Sequence, residues 1–322
     1  MDTDSPRRLI VDTDTAGDDT QALAMAATSD RIALEGVTIC AGNVEFDYQV
    51  ENAKYTLDLV DAGDVTVYEG ARSPLQKEFE HADYVHGEGG LGGNLFPETG
   101  TESGDRHAVE YIVETARENP GELTLACIAP LTNVALALSI EPDLGELLDE
   151  VWVMGGSVNW LGNVTPAAEY NFWVDPDAAS IVIDAMDVTL VDWGLIDRDA
   201  TFDPETIERI ERGPDTPLTE FFGQVTAQVR QFNREQLGTK VITQPDSALM
   251  AALVDPSIVD ETGTYHVAVD EREGLTRGYS AVDELGVTDG TARTRVVESM
   301  DEQAFRDLFV EMLFEGSPDG AL

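Results

Sequence analysis

The sequence predicts an α/β fold, a mixed and mostly parallel central sheet flanked by helices, and three observations lead there. Short apolar runs of strand length alternate with amphipathic stretches of helical length from Leu9 to Val191, the pattern of parallel βαβ units. Capping residues and prolines stand at the starts of helical stretches, as in Asp175-Pro176-Asp177, rather than inside them. Nothing resembles a flexible linker or an internal repeat, so the 322 residues read as one domain over 1–322, with an ordered core of approximately 8–315.

Leu9–Asp12 is a short apolar run that ends in a polar turn, and Thr20–Ala27 follows with Ala, Leu and Met at helical density. Leu34–Cys40 reads as a buried strand, Tyr48–Val60 as an amphipathic helix and Val65–Tyr68 as a short strand. Next come a helix over Ala108–Ala116, a strand over Leu123–Ile128 and a helix over Leu131–Ser139, with Pro130 suited to its first turn. Val151–Met154 and Val188–Val191 are further strands, separated by the helix that opens at Asp175. Beyond Asp203 the chain is mainly helical, over Pro204–Glu211, Leu218–Gln236 and Asp246–Val254, with later strands at Val267–Val269 and Arg295–Val297. The glycine-rich stretch Gly87–Gly93 lies in a long connection from Gly70 to Asp105. Connections of that length usually serve as lids or binding loops.

Charge narrows the function. There are 63 acidic and 19 basic residues, a formal net charge of −44, and lysine occurs only at Lys54, Lys77 and Lys240. A nucleic acid would be repelled over most of such a surface, and basic clusters are missing. The acidic residues are dispersed along the chain rather than gathered in a tail, which reads as halophilic adaptation to a concentrated-salt cytoplasm where self-repulsion is screened. Cys40 and Cys127 sit near the ends of apolar strand-like runs and read as buried free thiols in a reducing compartment. After Arg7-Arg8 the apolar run Leu9–Val11 is too short for an export signal. No segment has the apolar length needed to span a bilayer. The expectation is a cytoplasmic protein with neither membrane nor nucleic acid as partner.

The first turn reads Asp12-Thr13-Asp14-Thr15-Ala16-Gly17-Asp18-Asp19. Four carboxylates at the end of a strand and the start of a helix exceed any capping need, and their repulsion calls for a cation. With no His or Cys beside them, they suit a hard ion such as Ca²⁺ or Mg²⁺. An EF-hand loop is excluded, because its twelfth position would be Leu23 and a strand precedes it. The Asp-x-Asp turn of aspartate-nucleophile phosphatases fits poorly too, since Ala16 stands where Thr or Val is usual and lysines are scarce.

The turn resembles the Asp-x-Asp-Pro-Gly-x-Asp-Asp signature of the inosine/uridine-preferring nucleoside hydrolase family, with Thr15 and Ala16 in place of Pro and Gly. Further matches follow in order: Ala41-Gly42-Asn43, His86-Gly87-Glu88-Gly89-Gly90-Leu91, Ala129-Pro130-Leu131-Thr132-Asn133 and Met154-Gly155-Gly156. The longest block, Gly162 to Asn171, and Asp175-Pro176 complete the series. The resemblance implies a Rossmann-like nucleoside hydrolase fold, a ribonucleoside substrate in purine and pyrimidine salvage, and a homodimer or homotetramer.

It also implies a Ca²⁺ site made by Asp14, Asp19 (with both oxygens), the main-chain carbonyl of Ile128 and Asp246. Asp14 is then the candidate general base towards an ion-activated water, attacking through an oxocarbenium-like transition state. Asp18 is assigned to the ribose 2′-hydroxyl. Asn43, Asn163, Glu169 and Asn171 are assigned to the other hydroxyls, and the charge of Glu169 suits the developing cation. Many relatives place a His directly before the late metal-binding Asp; here Pro245 stands there and can donate no proton. That leaves His86 as the candidate acid or base-binding group, while His81, His107 and His266 read as structural or exposed. Asn233, Leu237 and Trp160 are weaker candidates for the base pocket. The alternative to a hydrolase is a calcium-dependent nucleoside- or ribose-binding protein with lost or specialised turnover, and a Mg²⁺-dependent phosphatase is a distant third.

Overall fold

The computed structural model describes residues 5–315; residues 1–4 and 316–322 of the expected domain lie outside that range. Eight strands form the main sheet: β1 (Arg7–Thr13), β2 (Ile32–Ile39), β3 (Val67–Glu69), β4 (Leu123–Cys127), β5 (Glu150–Met154), β6 (Thr189–Val191), β7 (Val259–Tyr265) and β8 (Thr294–Met300). Their order is β3-β2-β1-β4-β5-β6-β8-β7. Every pairing is parallel except that of the edge strand β7 with β8. The sheet is mixed and mostly parallel, as the alternation of elements predicts.

Strand alternation sorts the side chains into two layers. Leu9 and Val11 face one layer, with Ala126, Trp152 and Met154 from neighbouring strands, under helices Asp19–Thr28, Pro245–Val254 and Glu302–Val310. Ile10 faces the other, with Leu125, Cys127, Val151 and Val153, under helices Ala108–Glu118, Thr132–Ile140 and Pro176–Ala185. A sheet covered on both faces explains strands that read as continuous apolar runs. Cys40 and Cys127 are buried free thiols.

The expected elements of the first 190 residues are present with end shifts of a few residues, and the differences have physical causes. Pro130 lies two residues ahead of its helix, which begins at Thr132 after Leu131. Val267–Val269 pairs with Ser280–Val282 in a separate two-stranded ribbon, not in the main sheet. Sequence reasoning misses β7 altogether: Val-Asp-Glu-Thr-Gly-Thr-Tyr is an exposed edge strand, so it carries neither an apolar run nor a clean alternation. Among the described residues no helix is long and apolar enough to cross a membrane.

Candidate active site

β1 lies between β2 and β4, so the chain leaves the sheet in opposite directions on its two sides. The loops diverge there and open a crevice at the carboxyl ends of the strands, where ligands bind in open α/β sheets. The turn after β1, the Cys40–Asn43 segment after β2, Ile128 after β4 and the long connection after β5 all meet at this point. They form the floor of a cleft of about 1020 Å³.

Asp14 is fully buried. Its Oδ2 accepts the main-chain N–H of Asn43 at 2.8 Å, while Oδ1 is buried with no hydrogen-bond partner. Gly42 permits this approach, since a Cβ there would lie 1.9 Å from Asp14 Oδ2. Asp19 is also fully buried; its Oδ1 accepts Thr13 Oγ1 at 2.6 Å, and its Oδ2 accepts Asn43 Nδ2 at 3.1 Å and the Ala16 N–H at 3.2 Å. Both oxygens thus have protein donors that fix their direction. Asp246 arrives from the first turn of the helix Pro245–Val254. Asp18, Asp19 and Asp246 each bring a carboxylate oxygen within 4.8 Å of the others, an arrangement that could hold a metal ion.

The electrostatics fit such an ion. Burial first, then the charge of Asp19, raises Asp14 well above the ordinary carboxylate range. Burial and the charge of Asp18 push Asp19 up to about 7. Asp246 is raised in the same way, by burial and then by Asp18, Asp19 and Asp14. Carboxylates that repel one another out of water are stabilised by a cation in their midst. The donor set is oxygen only and one buried oxygen is unpartnered, which matches a hard cation.

Asp12 does not join this group, although it shares the motif. It alternates with Val11 and Thr13 along β1 and so faces the layer of the helix Thr132–Ile140. Its Oδ1 accepts Asn133 Nδ2 at 2.8 Å and Thr38 Oγ1 at 2.5 Å. Asn133 also donates to the Ile39 carbonyl at 3.1 Å and accepts the Ala71 N–H at 2.8 Å. The crowd of four predicted from the turn is therefore three carboxylates plus Asp246, with Asp12 as an anchor beneath them.

Of the residues expected at the ribose, Asn43 has its amide turned to Asp14 and Asp19. Asn171 is buried and donates to the Met154 carbonyl at 3.2 Å, with the Ile128 carbonyl at 3.5 Å. Glu169 caps the short helix Tyr170–Val174. Its carboxylate takes the N–H groups of Gly156, Asn171 and Phe172, yet burial still pushes it up to about 7. Asn163 is exposed, and its Oδ1 accepts the Tyr170 N–H at 2.9 Å. Asp18, Asn43, Ile128, Asn163, Glu169, Asn171 and Asp246 all line the cleft.

His86 ends the short helix Asp83–His86 and also lines the cleft. Its ring lies against Gly17, where a Cβ would come within 2.2 Å of Nδ1. Burial lowers its pKa, and the charge of Asp18 opposes that shift. The other histidines are elsewhere: His81 Nδ1 bonds the Gly42 carbonyl, His107 caps a helix and His266 pairs with Thr288. Pro245, Asn233, Leu237 and Trp160 also line the cleft.

Tyr84 and Phe232 also line it, with ring centroids 5.9 Å apart, and sequence reasoning passes over both. Tyr84 carries one usable signal, standing two residues before His86 in the long connection. Phe232 carries none, because an aromatic at the end of an amphipathic helix reads as core.

An acidic floor at the switch point of a parallel sheet, under a cleft of this size, defines an enzyme that acts on small molecules. The chain belongs to the inosine-uridine preferring nucleoside hydrolase family, which matches residues 9–307, and it is therefore a nucleoside hydrolase. It is 33% identical over 306 residues to the pyrimidine-specific ribonucleoside hydrolase RihB of Escherichia coli strain SE11, covering 95% of this chain and 96% of that one. Among solved structures it resembles a plant nucleoside hydrolase, the PpNRh1 enzyme, with a TM-score of 0.90 at 29% identity over 96% of this chain and 99% of that one. A purine-preferring ribonucleoside hydrolase from Gardnerella vaginalis matches with a TM-score of 0.88 at 27% identity, over 95% and 98% of the two chains.

Proposed function

We propose that the chain hydrolyses the N-glycosidic bond of ribonucleosides, releasing free base and ribose for salvage, with Ca²⁺ as its metal. The observation that carries this reading is the oxygen-only cluster of Asp18, Asp19 and Asp246, two of which line the cleft, with the buried carboxylate of Asp14 feeling the charges of Asp19 and Asp18 beside it. In this reading Asp14, Asp19, the Ile128 carbonyl and Asp246 hold the ion. A calcium ion there supplies Lewis acidity towards a water and oxygen-seeking positions for sugar hydroxyls.

Asp14 Oδ1, buried and unpartnered, is the oxygen that takes the proton as water attacks the anomeric carbon. Asp18 receives the 2′-hydroxyl. Asn43, Asn163 and Asn171 orient the remaining hydroxyls and main-chain groups around the sugar. Glu169, held on three N–H groups, places negative charge beside the oxocarbenium-like ribose. His86 faces the departing base and donates a hydrogen bond to it.

The test is ribose release from inosine, uridine, adenosine, guanosine and cytidine in molar KCl, with and without a calcium chelator. Release that the chelator abolishes and calcium restores is the expected outcome. Calcium binding with no turnover of any riboside would make the chain a binding-only relative and remove the catalytic reading.

A further inference from the structure

Cleavage of a C1′–N bond sends the bonding electron pair to the ring nitrogen. From a neutral nucleoside the base then leaves as an anion and needs a proton from a strong donor. From an N-ribosylated heteroaromatic cation, the same pair cancels the positive charge already on the ring, and the base leaves neutral. A site that offers the base a single histidine as hydrogen-bond donor, and an aromatic wall backed by a carboxylate, favours the second kind of substrate.

The outer cleft has these properties. Of the four carboxylates that line the cleft, Asp18, Glu169 and Asp246 belong to the metal and ribose end and Asp197 stands beside Trp160, and among the described lining residues there is no Lys or Arg. Pro245, at the start of its helix, presents a ring without an N–H. Trp160 forms one wall, 42% exposed, and it is held from behind. Its Nε1 donates to Asp197 Oδ2 at 2.9 Å, and Gly194 leaves it space, since a Cβ there would lie 2.9 Å from Trp160 Cβ. The hydrogen bond to a carboxylate enriches the indole in electron density. Arg198, which is outside the cleft lining, already lies over the ring at 5.3 Å. Tyr84, 49% exposed, adds a second aromatic face backed by Phe232. An electron-rich ring beside a carboxylate is the chemistry that receives a delocalised cation, and this contact acts at short range, where salt screens it least.

We propose that the preferred substrates of this cleft are N-ribosylated heteroaromatic cations, such as pyridinium and N7-alkylated purinium ribosides, with Trp160 as the residue that selects them. The proposal rests on the hydrolase reading above. Water adds its oxygen to C1′, the C1′–N pair passes to the ring nitrogen, and the water's proton passes to a carboxylate and then to solvent. The products are ribose, neutral base and one proton, with no proton delivered to the base.

The experiment compares kcat/KM of the full chain, with calcium in molar KCl, on matched ribosides: 7-methylguanosine against guanosine, and 3-carbamoylpyridinium riboside against uridine. The cations are expected to be turned over at least roughly tenfold better. Trp160→Ala should cut that preference roughly three- to tenfold through KM, the range of a partly desolvated cation–π contact, and Trp160→Phe should restore part of it. Neutral nucleosides turned over as well as the cations would overturn the proposal while leaving the hydrolase reading intact. An unchanged preference in Trp160→Ala would overturn the role of that residue. Silence on all four ribosides would overturn the hydrolase reading, and this proposal with it.

Discussion

The floor of the cleft and its outer wall are built differently. On the floor, Asp14, Asp19, Asn43 and Asn171 are each 9% exposed or less; the first three follow the ends of β1 and β2, Asn171 sits in the short helix Tyr170–Val174, and all four are held by hydrogen bonds within the protein. On the wall, Trp160 is 42% exposed, Tyr84 49% and Leu237 65%, and all come from loops, a single helical turn or a helix end. A rigid floor holds charge where a transition state needs it, which is the larger share of catalysis. A looser wall holds the part of the substrate that does not react, where lost contacts cost affinity more than rate.

The sharpest way to break this contrast is at the floor. Asp14→Asn should keep the fold and lower kcat by about 10³-fold, within the usual range for a general base. Full activity in that variant would take Asp14 out of the mechanism. Gly42→Ala comes next, because its methyl group must displace the Asp14 carboxylate. A shift of about 1 Å costs roughly 10²-fold in turnover, so steady-state kinetics near wild type would show that Asp14 has room to move.

Metal removal is the third test, and pH gives its sign. Without a cation, Asp14, Asp19 and Asp246 are raised in the folded chain, Asp19 to about 7. Such groups contribute stability that is fully present below the unfolded carboxyl pKa of about 3.9 and is lost as pH rises through the folded values. The gap in Tm between calcium-loaded and chelated protein should therefore widen from pH 4 to pH 8. A gap that stays constant would show that these carboxylates do not bear on the ion. The smallest effect is expected on the wall. Phe232→Ala, which removes the ring behind Tyr84, should raise KM a few-fold with kcat unchanged; a fall in kcat would erase the division between floor and wall.

The same contrast governs what can be read from the chain. Strand ends are local: an apolar run followed by Asp-x-Asp or Ala-Gly-Asn marks its own position, so Asp14, Asp19 and Asn43 are legible as a group. Asp246 is legible only through the family pattern, because nothing local distinguishes it from dozens of surface carboxylates. Asp12 is over-read, since a turn motif does not say which face of β1 each Asp takes until the strand register is known. Tyr84 and Phe232 meet across 148 residues of chain, and no short-range pattern records that pairing. β7 fails for the opposite reason, because most of its side chains face solvent rather than a neighbour.

The amide of Asn133 grips Asp12 on one side and the Ala71 N–H, near the start of the long connection, on the other. The connection is thereby clamped at its root, directly under the reaction centre. Further along, the same stretch is tied to the floor again: the Ala82 N–H donates to the Asn43 carbonyl, and the Gly17 N–H donates to the Gly90 carbonyl. Floor and connection are thus one mechanical unit, and a graft of that stretch from a relative must reproduce these bonds to leave the carboxylates in place.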